Sequence, residues 1–404
     1  MSKRKKVAVL NPYVATRGGG EKHMGYLCQF MEEYYNHEVD IDILVHSNEV
    51  FDVYADDFVT IEDLNRQFGL DLKNTQIRRL ALPYMPYVDG YKQYLKNKRA
   101  LERATKEYDL FINFMFLSKH IGKAQKNIYE VMFPPLRYRW ELNKTIFHKL
   151  FGAFLDALYY RSYDVFISNS QFTNIWQEEY WGKSKKDYVV YPPVFSEKEI
   201  EGRYEESKKK NIIISVGRFF VSAHSKKQLE MVQFFVKHQD IFKDYEYHLC
   251  GAVSDDAADR EYLQKVRDEA AKVDNVFIHL SCGHDELMEL YSQAKIFWHG
   301  TGYLVDENKE PEKMEHFGIT TVEAMSFGAV PVVINKGGQK ETVSEGVNGF
   351  RWETEQECVE KTKKLIDDDA LREKFAAKSV ELAKNYSIEK FYDANRRIFD
   401  EYKI

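Results

Sequence analysis

The sequence predicts an α/β protein built from two tandem, doubly wound, Rossmann-like domains that face each other across a cleft. Three observations predict this class. Short runs rich in Val and Ile alternate with amphipathic stretches, which is typical of parallel strands joined by helices. The 404 residues are too many for one hydrophobic core. A polar stretch near the middle interrupts the alternation, which then starts again.

The first half of the chain is predicted to form an N-terminal domain over residues 1–195. A helix from about Glu21 to Tyr35 follows the first strand, and helical patterns separate most of the later strands. The predicted strands are KVAVLNPYV, DIDILVHS, DLFINFM, NIYEVMF, DVFISNS and DYVVYPPV.

The second domain is predicted over residues 205–386. Residues 195–211, FSEKEIEGRYEESKKKN, are charged and nearly free of aliphatic side chains, so they are interpreted as a linker. The strands that follow are NIIISVGRF, YEYHLCGA, NVFIHLS, KIFWHGT and VPVVINKG. An amphipathic helix at about 387–404 has no strand after it, and we expect it to pack back on the N-terminal domain.

The charge of the chain is unevenly distributed. The net charge of −6 argues against general nucleic-acid binding. Residues 76–150, however, carry 15 Lys and Arg against 6 Asp and Glu, with aromatic residues between them. Such a surface would suit a membrane face or an anionic acceptor. A solvated helix face balanced by acidic residues elsewhere is the alternative.

The cysteines and the N-terminus indicate the compartment. Cys28, Cys250, Cys282 and Cys358 lack the spacing of a disulfide framework, which indicates free thiols in a reducing environment. The N-terminal apolar run is too short for a signal peptide or a membrane span. We therefore expect a cytoplasmic protein, with the inner face of the membrane as the surface on which it would dock.

Three glycines follow the first strand, where open α/β sheets bind their ligands. Gly18, Gly19 and Gly20 lead into a helix, and they would let the backbone approach an anion at the helix N-terminus. The pattern is neither a Walker A motif nor a full dinucleotide fingerprint. A plain helix-entry turn is the alternative.

The matching loop of the second domain is cationic. Arg218 follows the strand directly, and Lys226 and Lys227 lie where the next helix begins. Cations that converge on one strand end suit a pyrophosphate. Surface solubility is the alternative, but an Arg directly after an apolar strand is badly placed for that role.

The stretch MEHFGITTVEAMSFGAVPVV predicts a loop, a helix, a turn and a strand. Gly318 would relax the backbone where the helix starts, and Thr320 or Thr321 would cap it. The amides of Gly318, Ile319 and Thr320 would then point at an anion.

Two glutamates flank this helix start. Glu323 lies within the helix, where its carboxylate can accept hydrogen bonds from ribose hydroxyls. Glu315 precedes the helix and would face the group beyond the phosphates. Two unrelated solvent-exposed glutamates are the alternative, which the apolar surroundings disfavour.

The spacing Glu-x7-Glu within EHFGITTVEAMSFGAVPVV resembles the signature of the family-4 glycosyltransferases with the GT-B fold. GGGEK is similar to the Gly-rich loop of that family, SVGRF…HSKKQ to its Arg…Lys pair, and FISNSQFT…VVYPPV to its inter-domain passage. The resemblance covers nearly the whole chain, and Lys226 matches the family lysine better than Lys227. It implies retaining transfer of a sugar from a UDP-, GDP- or dTDP-linked donor to an acceptor hydroxyl. With the basic N-terminal domain, we expect a lipid-linked glycan or another cell-envelope polysaccharide precursor as the acceptor.

The resemblance also implies roles by position. Arg218 and Lys226 would hold the diphosphate, Glu323 would bind the ribose, and the expected catalytic residue Glu315 would contact the donor sugar. The backbone at 18–20 would close over the phosphates from the acceptor-binding domain. We expect front-face attack in which the leaving phosphate takes the acceptor proton, rather than carboxylates acting as nucleophile and acid.

The chain departs from the family pattern at Met132, which stands in YEVMFPP where many members carry a His. His120 and Glu130 are nearby candidates for acceptor contacts. No D-x-D pair lies in a fitting loop, so we expect neither a cofactor nor a divalent metal, with Arg218 and Lys226 supplying the positive charge.

A zinc site is a weaker interpretation. Five candidate ligands are predicted near the ends of neighbouring strands: His248, Cys250, His279, Cys282 and His284. Their spacing matches no zinc finger or ribbon, which favours buried thiols and strand histidines.

Two other functions stay open on the same fold. A sugar phosphorylase of the pyridoxal type would need a Schiff-base lysine, for which Lys336 and Lys340 have no supporting context. A non-catalytic sugar-nucleotide-binding subunit is disfavoured, because Glu315, Arg218 and Lys226 are intact.

Overall fold

The chain forms two compact units. The computed structural model describes residues 4–14, 18–46, 59–80, 91–137, 145–221, 225–280 and 282–404. Unit 1 comprises Met1–Pro193 together with Phe391–Ile404, and unit 2 comprises Val194–Lys390.

Unit 1 contains a seven-stranded parallel sheet with the order β3-β2-β1-β4-β5-β6-β7. The strands are β1 (Lys5–Leu10), β2 (Val39–His46), β3 (Thr75–Leu80), β4 (Leu110–Asn113), β5 (Lys126–Val131), β6 (Val165–Ser168) and β7 (Asp187–Val189). The order reverses between β1 and β4, whose runs VAVL and LFIN are buried as expected for central parallel strands.

Helices cover the sheet of unit 1. They are α1 (Gly19–Tyr34), α2 (Ile61–Phe68), α3 (Tyr91–Thr105), α4 (Ile146–Ser162) and α5 (Gln171–Trp181). Leu101 of α3 and Tyr159 of α4 belong to one core cluster with Phe111 of β4, so α3 and α4 cover the same face of the sheet.

Unit 2 contains a six-stranded parallel sheet with the order β10-β9-β8-β11-β12-β13. The strands are β8 (Lys210–Val216), β9 (Glu246–Gly251), β10 (Val276–Leu280), β11 (Ala294–His299), β12 (Val330–Ile334) and β13 (Phe350–Trp352). Here the order reverses between β8 and β11. Trp298 and Trp352 are fully buried in the core of this unit.

The helices of unit 2 follow its strands. They are α6 (Glu197–Arg203), α7 (Gln228–Lys237), α8 (Gln239–Phe242), α9 (Ala257–Ala270), α10 (His284–Gln293), α11 (Ile319–Ser326), α12 (Gln339–Thr342), α13 (Glu355–Asp367) and α14 (Asp369–Ala383). None of the helices in the described ranges is both long enough and apolar enough to span a bilayer.

The linker predicted at 195–211 is wrong, because this stretch is folded into unit 2. Ser196 and Glu199 form a capping box that starts α6. Ile200 is fully buried, and the guanidinium of Arg203 lies 3.8 Å from the ring centroid of Phe195. A single buried aliphatic residue anchors this charged surface helix, which explains why its composition resembles that of a linker.

The chain ends with α15 (Ile388–Tyr402), and its residues from Phe391 onward belong to unit 1. Phe399 packs edge-to-face on Phe30 of α1 with 5.1 Å between ring centroids. The hydroxyl of Tyr34 donates a hydrogen bond of 2.8 Å to Asp400. The last helix therefore completes the core of unit 1 beside α1.

Candidate functional site

The strand order of unit 2 locates its ligand crevice. In an open parallel sheet, ligands bind beyond the carboxyl ends of the two strands between which the order reverses. In unit 2 these strands are β8 and β11. The loop after β8 holds Gly217 and Arg218, and β11 ends at His299.

Because Gly217 has no side chain, the side chain of Lys226 can lie against the backbone at this position. A Cβ atom built on Gly217 would lie 2.6 Å from Cγ of Lys226, so a larger residue would displace the lysine. Arg218 is exposed, and its guanidinium lies 5.1 Å from the ring centroid of Phe220. Residues 222–224 of this loop lie outside the described residues.

The two lysines of the loop differ in their partners. Lys226 donates a hydrogen bond from Nζ to the carboxylate of Glu315. Lys227 pairs instead with Glu230 on its own helix, at 3.1 Å. The structure thus directs Lys226 toward the crevice and Lys227 along α7.

Glu315 is held by two donors. Nε2 of His299 lies 3.1 Å from Oε2 of Glu315, the same oxygen that Lys226 contacts. Burial alone would raise the pKa of Glu315, but the Lys226 ammonium and the His299 hydrogen bond outweigh it and hold the pKa well below its usual range. The carboxylate is therefore ionised at neutral pH.

His299 is a candidate functional residue that the sequence analysis did not single out. Its side chain is 3% exposed, and burial lowers its pKa although the hydrogen bond to Glu315 opposes this. The ring is therefore neutral and donates from Nε2. Its Nδ1 atom has no hydrogen-bond partner among the described residues. The signal for His299 in the sequence was the presence of a polar residue at the end of the apolar strand KIFWH.

Gly318 begins α11 in the left-handed region, with φ 99° and ψ 57°. A Cβ atom there would lie 2.7 Å from Nε2 of Gln339 and 3.2 Å from Oγ1 of Thr321. The prediction that Thr320 or Thr321 caps the helix is wrong, because Gly318 is the N-cap and no side chain caps it. Thr321 is buried and donates to Gln339 at 3.0 Å instead.

The start of α11 can meet an anion. The N–H groups of Thr321 and Val322 donate to Gly318 O, while Ile319 and Thr320 are partly exposed. As at any helix start, the first N–H groups have no partner within the helix. This end of the helix therefore carries the partial positive charge that suits a phosphate.

We expect Gly318→Ala to destabilise unit 2 by about 1–3 kcal/mol, because it forces a Cβ into a left-handed backbone and a close contact. The shift of the thermal unfolding midpoint measures this. Gly346→Ala is the matched control, since Gly346 has φ 71° and no atom within 4 Å of its Cβ position. Equal midpoints for the two variants would contradict the role assigned to the Gln339 contact.

Glu323 lies about one turn inside α11, as the sequence predicted for the ribose-binding residue. The hydroxyl of Tyr291 donates to Oε2 of Glu323 at 3.3 Å, and the Tyr291 ring stacks on Phe327. The side chain of Glu323 is partly exposed, so a ligand can reach it. Unit 2 thus contains every predicted donor-site residue except the three glycines.

The glycine loop belongs to unit 1. Gly18 is the N-cap of α1, and Gly19 and Gly20 form its first turn, so the helix starts earlier than predicted. Gly18 donates its N–H to Glu21 Oε2 at 2.8 Å. A Cβ atom on Gly20 would meet nothing within 4 Å, which leaves room for an approaching ligand. Their contact with the donor phosphates stays a prediction.

Glu130 does not offer a carboxylate to an acceptor, which corrects the sequence interpretation. It is 1% exposed and lies 4.0 Å from the equally buried His23. Burial raises the pKa of Glu130 to about 8 and lowers that of His23 to about 3. Both groups are therefore mainly neutral at pH 7.

His120 and Met132 lie near Glu130 in the sequence but are partly exposed. Nδ1 of His120 is 2.9 Å from the Ser118 hydroxyl, and burial lowers the pKa of the imidazole to about 4. A neutral, hydrogen-bonded His120 remains compatible with an acceptor contact, which stays a prediction.

We expect Glu130→Gln to stabilise unit 1 at neutral pH. The folded protein keeps a proton on Glu130 up to about pH 8, whereas an unfolded chain releases it near 4.5, so the wild type loses stability as the pH rises between these values. The gain should approach about 3 kcal/mol at pH 7 and vanish below pH 4.5.

Thermal unfolding at a series of pH values measures this gain. Glu32→Gln is the control, because the buried Glu32 carboxylate accepts hydrogen bonds from Lys73, Asn74 and Thr75, and its replacement should destabilise. A pH-independent effect of Glu130→Gln would show that Glu130 is ionised in the folded state.

Comparisons with known proteins agree with this geometry. The family model "Glycosyl transferases group 1" matches residues 196–381, which include Lys226, His299, Glu315 and helix α11. The curated GDP-Man:Man(3)GlcNAc(2)-PP-Dol alpha-1,2-mannosyltransferase of Dictyostelium discoideum is 26% identical over 63% of this chain and 49% of its own length. The Kluyveromyces lactis protein of the same name is 23% identical over 82% of this chain and 61% of its own. The chain thus spans only about half to three-fifths of these relatives.

Solved structures share the fold over almost the whole chain. Anabaena HepE in complex with UDP and glucose aligns with a TM-score of 0.66 at 14% identity, covering 98% of this chain and 100% of the other. Sucrose-phosphate synthase from Thermosynechococcus elongatus aligns with a TM-score of 0.68 at 15% identity, covering 98% and 99%. At such identities the likeness establishes the fold alone, which is the GT-B fold with two Rossmann-like domains.

Proposed function

We propose that the chain is a group 1 glycosyltransferase that transfers a sugar from a nucleotide diphosphate sugar to an acceptor hydroxyl with retention of configuration. The family model that matches residues 196–381 and the shared GT-B fold support this proposal. One observation carries the proposal. Lys226, His299 and Glu315 converge where the strand order of unit 2 reverses, next to the N-terminus of α11. That is where a diphosphate would find cations and free amides.

The proposed chemistry follows from charge. When the bond between the anomeric carbon and the phosphate oxygen breaks, negative charge develops on the nucleoside diphosphate. Arg218, Lys226 and the amides at the start of α11 would stabilise it, so no divalent cation is needed. The acceptor oxygen would form its bond to the anomeric carbon on the same face. Its proton would pass to the leaving phosphate oxygen.

The names of the relatives favour a particular donor and acceptor class. The curated relatives act with GDP-Man on a glycan linked to a lipid diphosphate, whereas solved neighbours contain UDP. We therefore propose GDP-mannose as the first donor to test and a lipid-linked glycan as the acceptor. UDP- and dTDP-linked sugars are the comparison donors.

Product analysis tests this function. The purified chain is incubated with each donor and a lipid-linked acceptor, and both released nucleoside diphosphate and elongated acceptor are measured. Transfer predicts equal amounts of both products. A reaction that needs inorganic phosphate and yields sugar phosphate would instead identify a phosphorylase. Donor binding without turnover would identify a non-catalytic subunit.

Helix α4 is the proposed membrane contact for such an acceptor. Four of the ten exposed large apolar side chains among the described residues lie in its first half. Ile146, Phe147, Leu150 and Phe154 are 77%, 70%, 65% and 60% exposed. Spacings of three, four and seven residues place Phe147, Leu150 and Phe154 on one face of the helix.

Cations accompany this apolar face. Lys149 lies between the apolar residues of α4, and helix α3, on the same face of the sheet, exposes Lys96, Arg99 and Arg103. Apolar side chains beside cations suit the boundary between lipid headgroups and acyl chains of an anionic membrane.

We expect the double variant Phe147→Ser with Leu150→Ser to bind anionic vesicles on the order of 100-fold more weakly, since it removes two side chains that lipid would bury. Vesicle sedimentation with phosphatidylglycerol measures the change. Leu304→Ser is the matched control, because Leu304 of unit 2 is 76% exposed. Unchanged sedimentation of the double variant would remove α4 from the membrane contact.

A further inference from the structure

A second cluster of reactive side chains lies at the carboxyl end of β10, on the outer edge of the unit 2 sheet. His279 is in β10, Cys282 precedes α10, and Glu286 is in the first turn of α10. One ring nitrogen, the thiol sulfur and a carboxylate oxygen all lie within 4.8 Å of one another. The crevice residues described above lie after β8 and β11, so this cluster is separate from them.

The imidazole of His279 is the centre of a chain of contacts. Its Nδ1 atom is 3.2 Å from Glu286, and its Nε2 atom is 2.9 Å from Nδ1 of His248. Nε2 of His248 is in turn 3.1 Å from Glu246. Three contacts thus join two carboxylates through two imidazoles.

Two neutral imidazoles cannot supply a proton to all three contacts. Each neutral ring carries one N–H, and ionised carboxylates carry none, so one contact always sets two lone pairs against each other. If His248 donates to Glu246 and His279 donates to His248, the unmet contact is His279 Nδ1 against Glu286. A cation at that point would satisfy both groups, and the Cys282 thiol faces the same point.

We propose that His279, Cys282 and Glu286 bind a zinc ion. Nitrogen, sulfur and carboxylate donors are the ligand set of zinc, whereas magnesium and calcium prefer oxygen ligands alone. His248, backed by Glu246, would orient the ring of His279 by accepting its Nε2 proton, as the hydrogen-bonded partners of ligating histidines do.

Cys250 lies opposite His279 in the register of β9 and β10, but it is not one of the three residues whose ligand atoms lie together. Zinc would displace the thiol proton of Cys282 as it binds.

Metal content after zinc loading tests the proposal. The full chain is incubated with zinc sulfate, freed of excess metal by gel filtration, and assayed for bound zinc and for its thermal midpoint. The wild type should retain zinc and unfold at a higher temperature than the chelator-treated protein. With cobalt in place of zinc, a thiolate-to-metal charge-transfer band should appear.

Variants identify the ligands. His279→Gln and Cys282→Ser should abolish retention and the cobalt band, and His248→Gln should lower zinc affinity by about 10–100-fold. His284→Gln is the matched control, because His284 is exposed at the start of α10 and outside the cluster. The thermal midpoint of each metal-free variant shows whether it is folded.

Two results would overturn the zinc site. The first is a folded wild type that retains no more zinc than Cys282→Ser. The second is retention by His279→Gln equal to that of the wild type. Either result would mean that one of the two histidines carries a second proton, and that this proton satisfies the third contact in place of a metal ion. Neither result depends on whether the chain transfers sugar.

Discussion

Replacing Glu315 by Gln is expected to lower kcat by about 100- to 1000-fold, with a much smaller effect on the KM of the donor. The two donors that hold the carboxylate keep it ionised at neutral pH. In the proposed reaction, positive charge develops on the sugar ring as the diphosphate leaves, because the transition state would resemble an oxocarbenium ion. A fixed negative charge favours that transition state over the ground state. The amide of Gln keeps the shape of the side chain but removes the charge.

Steady-state kinetics with saturating acceptor measure this effect. Glu312→Gln is the control, since Glu312 is a partly buried carboxylate in the same loop. A thermal midpoint close to that of the wild type shows that the loss is not caused by unfolding. Turnover within a few-fold of the wild type would remove the Glu315 charge from the mechanism.

Lys226→Met is expected to raise the dissociation constant of the nucleoside diphosphate by about 10- to 100-fold, because a charge-assisted hydrogen bond contributes about 1.5–3 kcal/mol. It should also lower kcat by about 100- to 1000-fold, since the ammonium meets charge that grows on the leaving group. Met retains most of the length of the side chain. The variant also leaves the Glu315 carboxylate without its cation.

Lys227→Met is the matched control, because Lys227 pairs with Glu230 on its own helix. Calorimetry of nucleotide binding and steady-state kinetics separate the two effects. The double variant Lys226→Met with Glu315→Gln should lose less than the product of the single losses, because the two residues act as a pair. Equal losses for Lys226→Met and Lys227→Met would contradict the assignment of Lys226.

The sequence predicts the sheets well because their central strands are buried on both faces. An apolar run such as NIIISVG is typical of a strand that is buried on both faces of a parallel sheet. The loops that could bind a ligand are predicted to begin where these runs end. The strand β3, TQIRRL, was missed because it is an edge strand with two buried residues. The strand β13 was missed because it has three residues. Patterns of hydrophobic residues carry little information about such edges.

The positions of the candidate site residues in loops and helices were predictable from the sequence, but the contacts between residues that are distant in the chain were not. Lys226 and Glu315 are 89 positions apart, and their contact arises only when β8 and β11 become neighbours. The contacts of His299 and of the zinc-ligand candidate Glu286 could not be predicted from the sequence, because each residue joins its partners through tertiary packing. The assignment of Glu130 failed for a related reason, since sequence position does not show which way a strand residue faces.

The return of α15 to unit 1 has a consequence for biosynthesis. A ribosome releases Phe30 and Tyr34 several hundred residues before the Phe399 and Asp400 that cover them. Unit 2 is continuous in the chain and can fold while this surface of the earlier unit still awaits its last helix. Loss of α15 would therefore damage the part of the protein that was synthesised first.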